Sequence, residues 1–168
     1  MSQFRTWSTR LTTTNAPAST VLIRLFVGVV FLSEGIQKFV YPDALGTGRF
    51  EKVGIPAAGF VAPLDGVFET ACGVLILFGL LTRAAAVPMI VDMIGALLIT
   101  KLPLLWGDAA LFPGKSGWWA LLHESRTDLA QLCGSAFLLI VGAGTWSVDA
   151  EFVRATSETP NPLGAKIR

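Results

Sequence analysis

Residues 19–41 read STVLIRLFVGVVFLSEGIQKFVY, an apolar stretch that nevertheless contains Arg24, Glu34 and Lys38. A helix rises about 1.5 Å per residue, so about 20 such residues cross the ~30 Å hydrocarbon core of a bilayer. A charge at the centre of a membrane helix costs roughly 2.5 to 3.5 kcal/mol on insertion scales. Intramembrane charges are therefore usually paired or functional. This stretch predicts a membrane helix that turns a charged side toward other helices.

Three more apolar segments follow, at about residues 58–82, 84–106 and 129–148, and only the last is free of charged residues. The chain is 52% hydrophobic and 15% charged, whereas soluble domains average about 25% charged residues. We predict an all-α fold, a transmembrane four-helix bundle over residues 19–152, with polar tails at residues 1–18 and 153–168. Ten polar or charged residues lie within or beside the four segments: Arg24, Glu34, Gln37, Lys38, Asp65, Glu69, Asp92, Lys101, Asp128 and Gln131.

Composition also excludes several classes of function. The net charge of +1 argues against a nucleic-acid-binding protein. The single histidine, His123, argues against a histidine-ligated metal centre, so no metal and no tightly bound cofactor are expected. Cys72 and Cys133 form no C-x-x-C motif, and buried cysteine usually packs as a small apolar residue. Whether the two cysteines pair stays open.

The distribution of Lys and Arg predicts the orientation. Six of these residues fall on the side of the termini and four on the other side, which favours a multi-pass protein of the inner (plasma) membrane with both termini cytoplasmic. The terminal side holds Arg5, Arg10, Arg83, Arg154, Lys166 and Arg168, and the outer side holds Arg49, Lys52, Lys115 and Arg126.

The intramembrane charges predict a site in the outer half of the membrane. Glu34 and Lys38 lie one helical turn apart, as do Asp65 and Glu69, so each pair shares a helix face. Asp92, with Arg24, is expected toward the cytoplasmic half.

Two carboxylates that share a face repel each other when both are ionised in a low dielectric. We therefore expect one of them to hold a proton unless Lys38 or Lys101 compensates. Exchangeable protons at such depth suit proton-coupled redox chemistry or a proton-coupled carrier. The alternative is a buried ion network that only fixes the helix register.

Four stretches of the sequence resemble the DoxX family of four-helix membrane proteins. They are RLFVGVVFLSEGIQKF (24–39), FEKVGIPAAGF (50–60), FETACGVLILFGLLTRAAA (68–86) and TWSVDAEF (145–152). The resemblance extends from Leu22 to Phe152. It rests on an Arg that opens the first segment, a Gly-x-x-Lys that ends it, a Gly-Ile-Pro loop and the Thr82-Arg83 hairpin.

The resemblance implies a membrane subunit of a redox system, and more narrowly a quinone-linked oxidoreductase subunit, because relatives include subunits of quinone-reducing complexes. The catalytic residues would be Glu34, Lys38, Asp65 and Glu69. A quinone would be contacted by Arg24, Glu34, Lys38, Glu69 and Gln131. The expected partners are the lipid bilayer, a quinone, a soluble redox protein and a second copy of the chain. Two alternatives stay open: a carrier of small molecules or lipids, and a non-catalytic membrane scaffold for partner enzymes.

Overall fold

A computed structural model describes residue 14 and residues 16–157, without the side chains of the last two. This part of the chain contains helices and no strands, in agreement with the predicted all-α class. We number the helices α1 (Thr20–Val40), α2 (Thr47–Lys52), α3 (Ala58–Phe78), α4 (Thr82–Ala96), α5 (Trp118–Val141) and α6 (Val148–Ser157). A π-helical turn, Leu97–Lys101, and a 3₁₀ turn, Leu102–Leu105, prolong α4.

Three helices are long and apolar enough to cross a membrane: Thr20–Val40, Ala58–Phe78 and Thr82–Leu105. Their limits agree closely with the first three predicted segments. The short link from Gly79 to Leu81 joins the second to the third, so these two helices run antiparallel, as the hairpin at Thr82-Arg83 predicts.

The four long helices pack side by side, with α1 against α3, α3 against α4, α4 against α5, and α5 against α1. Their shared core is apolar and is formed by Val27, Phe31, Cys72, Ile76, Ala85, Met89, Met93 and Leu138. Large apolar side chains also point outward from the bundle, for example Phe60 and Ile140. An outward apolar surface of this kind suits contact with lipid rather than water.

Glycines bring α1 and α3 into close contact. A Cβ atom placed on Gly73 would lie 2.6 Å from the backbone nitrogen of Leu32, and one placed on Gly35 would lie 2.6 Å from the backbone nitrogen of Thr70. Small residues at such crossings let the backbones approach each other, which favours association of helices in membranes.

The limits predicted for the fourth segment, residues 129–148, were wrong. Helix α5 begins at Trp118 and ends at Val141, so it includes the polar residues that precede the apolar run. Asp128, which the predicted limits excluded, lies within this helix, 3.5 Å from the ammonium nitrogen of Lys101. The residue after the helix is Gly142, whose φ of 86° suits glycine far better than other residues.

The predicted tails lie mostly outside the described residues. Thr14 is described, and its hydroxyl accepts a hydrogen bond from the backbone N–H of Gly144 at 2.9 Å. At the other end, α6 extends to Ser157 and so enters the predicted tail at residues 153–168.

Candidate functional site

A cavity of about 630 Å³ lies where α1, α3, α4 and α5 converge near the carboxyl end of α1. Apolar residues of the α1–α3 connection, including Leu45, Phe50 and Ile55, line part of its wall. The volume falls within the range of about 300 to 1,000 Å³ that is usual for small-molecule sites. The cavity can therefore hold a compact organic ligand.

Lys38 of α1 joins two acidic residues of α3 on the wall of this cavity. Its ammonium group donates hydrogen bonds to the carboxylates of Asp65 and Glu69, and the Nζ–Oε2 distance to Glu69 is 2.5 Å. The side chains of Lys38 and Glu69 are 11% and 4% exposed. The helical spacing of Asp65 and Glu69 puts both carboxylates within reach of one ammonium group. The structure thus brings three of the predicted site residues together.

Asp92 of α4 completes this cluster. Carboxylate oxygens of Asp65, Glu69 and Asp92 all lie within 4.8 Å of one another. The prediction that Asp92 lies toward the cytoplasmic half, away from the other two, was wrong. Asp92 follows the start of α4 by about 15 Å of helix and Glu69 precedes the end of α3 by about 14 Å, so the hairpin places them at the same depth.

The acidic cluster, which we define as Lys38, Asp65, Glu69 and Asp92, contains one cation and three carboxyl groups. With every group ionised its net charge would be −2, a state that a low-dielectric interior strongly disfavours. The cluster therefore places more negative than positive groups on one wall of the cavity.

A second polar group lines the same cavity from α4 and α5. Lys101, in the π-helical turn, lies 3.5 Å from a carboxylate oxygen of Asp128 and 4.5 Å from the ring centroid of Phe112. Gln131 follows one turn after Asp128 and is 1% exposed. Neither its amide nitrogen nor its amide oxygen has a hydrogen-bond partner among the described residues. Lys101 and Asp128 are absent from the predicted site, whereas Gln131 belongs to it.

Glu34 also lines the cavity, although it stands apart from the acidic cluster. Within the described residues it forms no ion pair with Lys38, one turn further along α1. Its carboxylate is exposed, so it faces the cavity without a fixed protein partner.

Arg24 was predicted to contact the same ligand, and the structure corrects this. Its Nε and Nη2 atoms donate hydrogen bonds to the carbonyl oxygens of Ile76 and Leu77 at 2.9 and 2.6 Å. Its Nη1 atom bonds the carbonyl oxygens of Ala143 and Trp146 at 3.1 and 2.5 Å. Arg24 is not among the residues that line the cavity. It joins the end of α3 to the α5–α6 connection instead.

Asp149 of α6 supports the same end of the bundle. Its carboxylate accepts hydrogen bonds from the backbone N–H groups of Leu81 and Thr82 at 2.8 and 3.2 Å, where α4 begins. Burial raises the pKa of the Asp149 carboxyl above its ordinary value, against the opposing effect of these hydrogen bonds and of the Arg24 charge. Arg24 and Asp149 are thus explained by the fold.

The two cysteines are free in the structure and lie in different surroundings. Cys72 is buried in the core, whereas Cys133 is exposed. This arrangement provides no dithiol at the cavity.

Sequence comparisons place the chain in a family. The DoxX family model matches residues 19–102. The chain belongs to the DoxX family. It is 54% identical to "Uncharacterized membrane protein Rv3486" of Mycobacterium tuberculosis, over 94% of this chain and 93% of that protein. It is 34% identical to "Putative oxidoreductase CatD" of Bacillus subtilis, over 72% of this chain and 83% of that protein. No solved structure matches the chain.

Proposed function

We propose that this DoxX protein is the membrane subunit of a quinone-linked redox system and that the cavity receives the quinone head group. The acidic cluster on the wall of a 630 Å³ cavity carries the proposal. The likeness to "Putative oxidoreductase CatD" of Bacillus subtilis supports the redox class.

The chemistry of the lining fits such a ligand. A bound quinone would supply an acceptor for two electrons and two protons, with the electrons coming from a soluble redox partner protein. Lys38 can donate a hydrogen bond toward a ligand oxygen while it stays anchored to Glu69. The carboxyl groups of Asp65, Glu69 and Asp92 can hold protons close to that oxygen and exchange them with one another. Apolar residues of the α1–α3 connection shield the ring.

The location of the cavity favours a binding site over a path through the bundle. No lining residue comes from the end of the bundle where Arg24 bonds four carbonyl groups. The apolar core that includes Ile76 and Leu138 packs the bundle interior. A carrier would have to open this packed region, whereas a redox subunit need not.

The proposed topology has four transmembrane helices, with α5 as the fourth, in the plasma membrane and with both termini cytoplasmic. Burial of Gln131 and Ser135 against the other helices supports an intramembrane position for α5, because its polar side chains then avoid lipid. A fluorescent-protein fusion at the C-terminus should fluoresce, and an alkaline phosphatase fusion at Gly114 should be active. The reverse pattern would overturn this orientation.

Quinone titration of the detergent-purified protein tests the proposed function. Decylubiquinone should quench tryptophan fluorescence saturably in the wild type. Lys38→Ala and Glu69→Gln should each weaken the apparent affinity by about tenfold or more, the equivalent of 1.4 kcal/mol. Lys52→Ala and Glu51→Gln are matched controls, because both residues are exposed on α2 outside the cavity lining. Equal affinity in all five proteins would contradict the proposal.

A further inference from the structure

We infer that Lys101, Asp128 and Gln131 form a second binding subsite in the cavity, so that the ligand has oxygen atoms on two separate edges. This inference rests on the proposed function, since it names the kind of quinone that the site accepts. One edge would face the acidic cluster and the other would face the second subsite.

Gln131 provides the first argument. A buried amide group without hydrogen bonds is unfavourable, and an apolar side chain of similar size would avoid that penalty. Gln131 is 1% exposed, lines the cavity and has no partner for either amide atom among the described residues. Its donor and its acceptor are thus available to a molecule in the cavity.

Lys101 provides the second argument, which is independent of the first. It is 7% exposed, and its 3.5 Å separation from Asp128 is longer than a usual N–H···O hydrogen bond. Lys38, in contrast, donates to two carboxylates. The ammonium group of Lys101 therefore keeps more of its donors available to a ligand than that of Lys38, which keeps one.

The charges near the two sites differ in a way that assigns each its role. The acidic cluster has more carboxyl groups than cations and suits proton exchange. The second subsite presents the ammonium of Lys101 and the amide of Gln131, and Arg49 adds another positive charge to the cavity lining. Donors of this kind bind a carbonyl or a negatively charged oxygen.

The π-helical turn explains how Lys101 reaches this position. It lengthens the end of α4 over Leu97–Lys101, and the hydroxyl of Thr100 donates to the carbonyl oxygen of Ala96 at 2.7 Å within it. Single π turns occur frequently at functional sites. A π turn holds more residues per turn than an α-helix, so it changes the direction in which the Lys101 side chain leaves the helix.

Two isomeric probes test the inference. Anthraquinone has its oxygens on opposite edges, and phenanthrenequinone has both oxygens on one edge. We expect the wild-type protein in detergent to bind anthraquinone at least about tenfold more tightly, since one set of hydrogen bonds is lost with the other isomer. Lys101→Met and Gln131→Met should reduce this preference to about twofold or less. Lys115→Met is the matched control, because Lys115 is exposed and lies outside the cavity lining.

Gln131→Met keeps the test decisive if Lys101→Met fails to fold, because loss of an unpartnered amide should not lower the unfolding temperature. A wild type without preference, or a preference that survives in the Gln131→Met protein, overturns the second subsite. If the second subsite is overturned in this way but Lys38→Ala abolishes binding of both probes, the proposed function stands without the second subsite. If neither probe binds the wild-type protein saturably, both proposals are overturned.

Discussion

Removal of the Lys38 charge tests the electrostatics of the acidic cluster. Lys38→Met leaves three carboxyl groups, whose oxygens lie within 4.8 Å of one another, without their ammonium partner. Loss of one partner from a buried ion pair typically destabilises a protein by about 3 to 5 kcal/mol. For a chain of this size 1 kcal/mol corresponds to roughly 2 to 4 °C in Tm. We therefore expect Tm to fall by roughly 6 to 20 °C.

A double-mutant cycle with Glu69→Gln separates this effect from a loss of packing. Glu69→Gln removes one negative charge, keeps the shape and leaves Lys38 bonded to Asp65, so alone it should lower the free energy of unfolding by less than Lys38→Met does. In its presence, Lys38→Met should cost at least about 1 kcal/mol less than in the wild type, because fewer carboxylates then lose a partner. Thermal unfolding in detergent, followed by tryptophan fluorescence, measures all four proteins. Additivity within about 0.5 kcal/mol would refute the reasoning, and Lys52→Met is the exposed-lysine control.

Three further outcomes are expected. Gly73→Ala should lower the free energy of unfolding by about 1 to 3 kcal/mol, because the added Cβ would clash with the backbone of α1. Gly59 lies on the same helix in open space, so Gly59→Ala should not lower it. Equal changes in Tm for the two variants would contradict this. Arg24→Lys should lower Tm measurably, since one ammonium cannot replace a guanidinium that bonds four carbonyls. The same variant should bind quinone with unchanged affinity where it remains folded. Weakened affinity would show that Arg24 contacts the ligand after all. Maleimide should modify the exposed Cys133 in detergent and spare the buried Cys72, as read by peptide mass spectrometry; equal modification would contradict the packing of α3.

Helical spacing was sufficient to predict that Asp65 and Glu69 share one helix face, and it left open whether Lys38 or Lys101 would compensate their charge. Each element of that prediction is local: two carboxyl groups one turn apart, and a lysine on an apolar helix that must find a counter-charge. Asp92 was missed, although counting residues from the tight hairpin would have placed it level with Glu69. The error came from dividing the charges by nominal halves of the membrane rather than by distance from the shared turn.

Other parts depend on contacts that the sequence does not encode locally. Arg24 resembles Lys38 as a lone cation in an apolar helix, and only the structure shows that its partners are backbone carbonyls. Asp128, which was expected outside the fourth helix, lies within α5 and pairs with Lys101 from a different helix. The π-helical turn has no strong sequence signal, so the position of Lys101 on the cavity wall was not predictable.

Photolabelling with an azido-quinone, followed by mass spectrometry of the labelled peptides, tests most directly whether the acidic cluster faces a quinone. The account predicts that adducts concentrate on the peptides that contain Lys38, Asp65 and Lys101, and that excess decylubiquinone suppresses them. Adducts spread over the outward apolar faces, around Phe60 and Ile140, and unaffected by the competitor would contradict it.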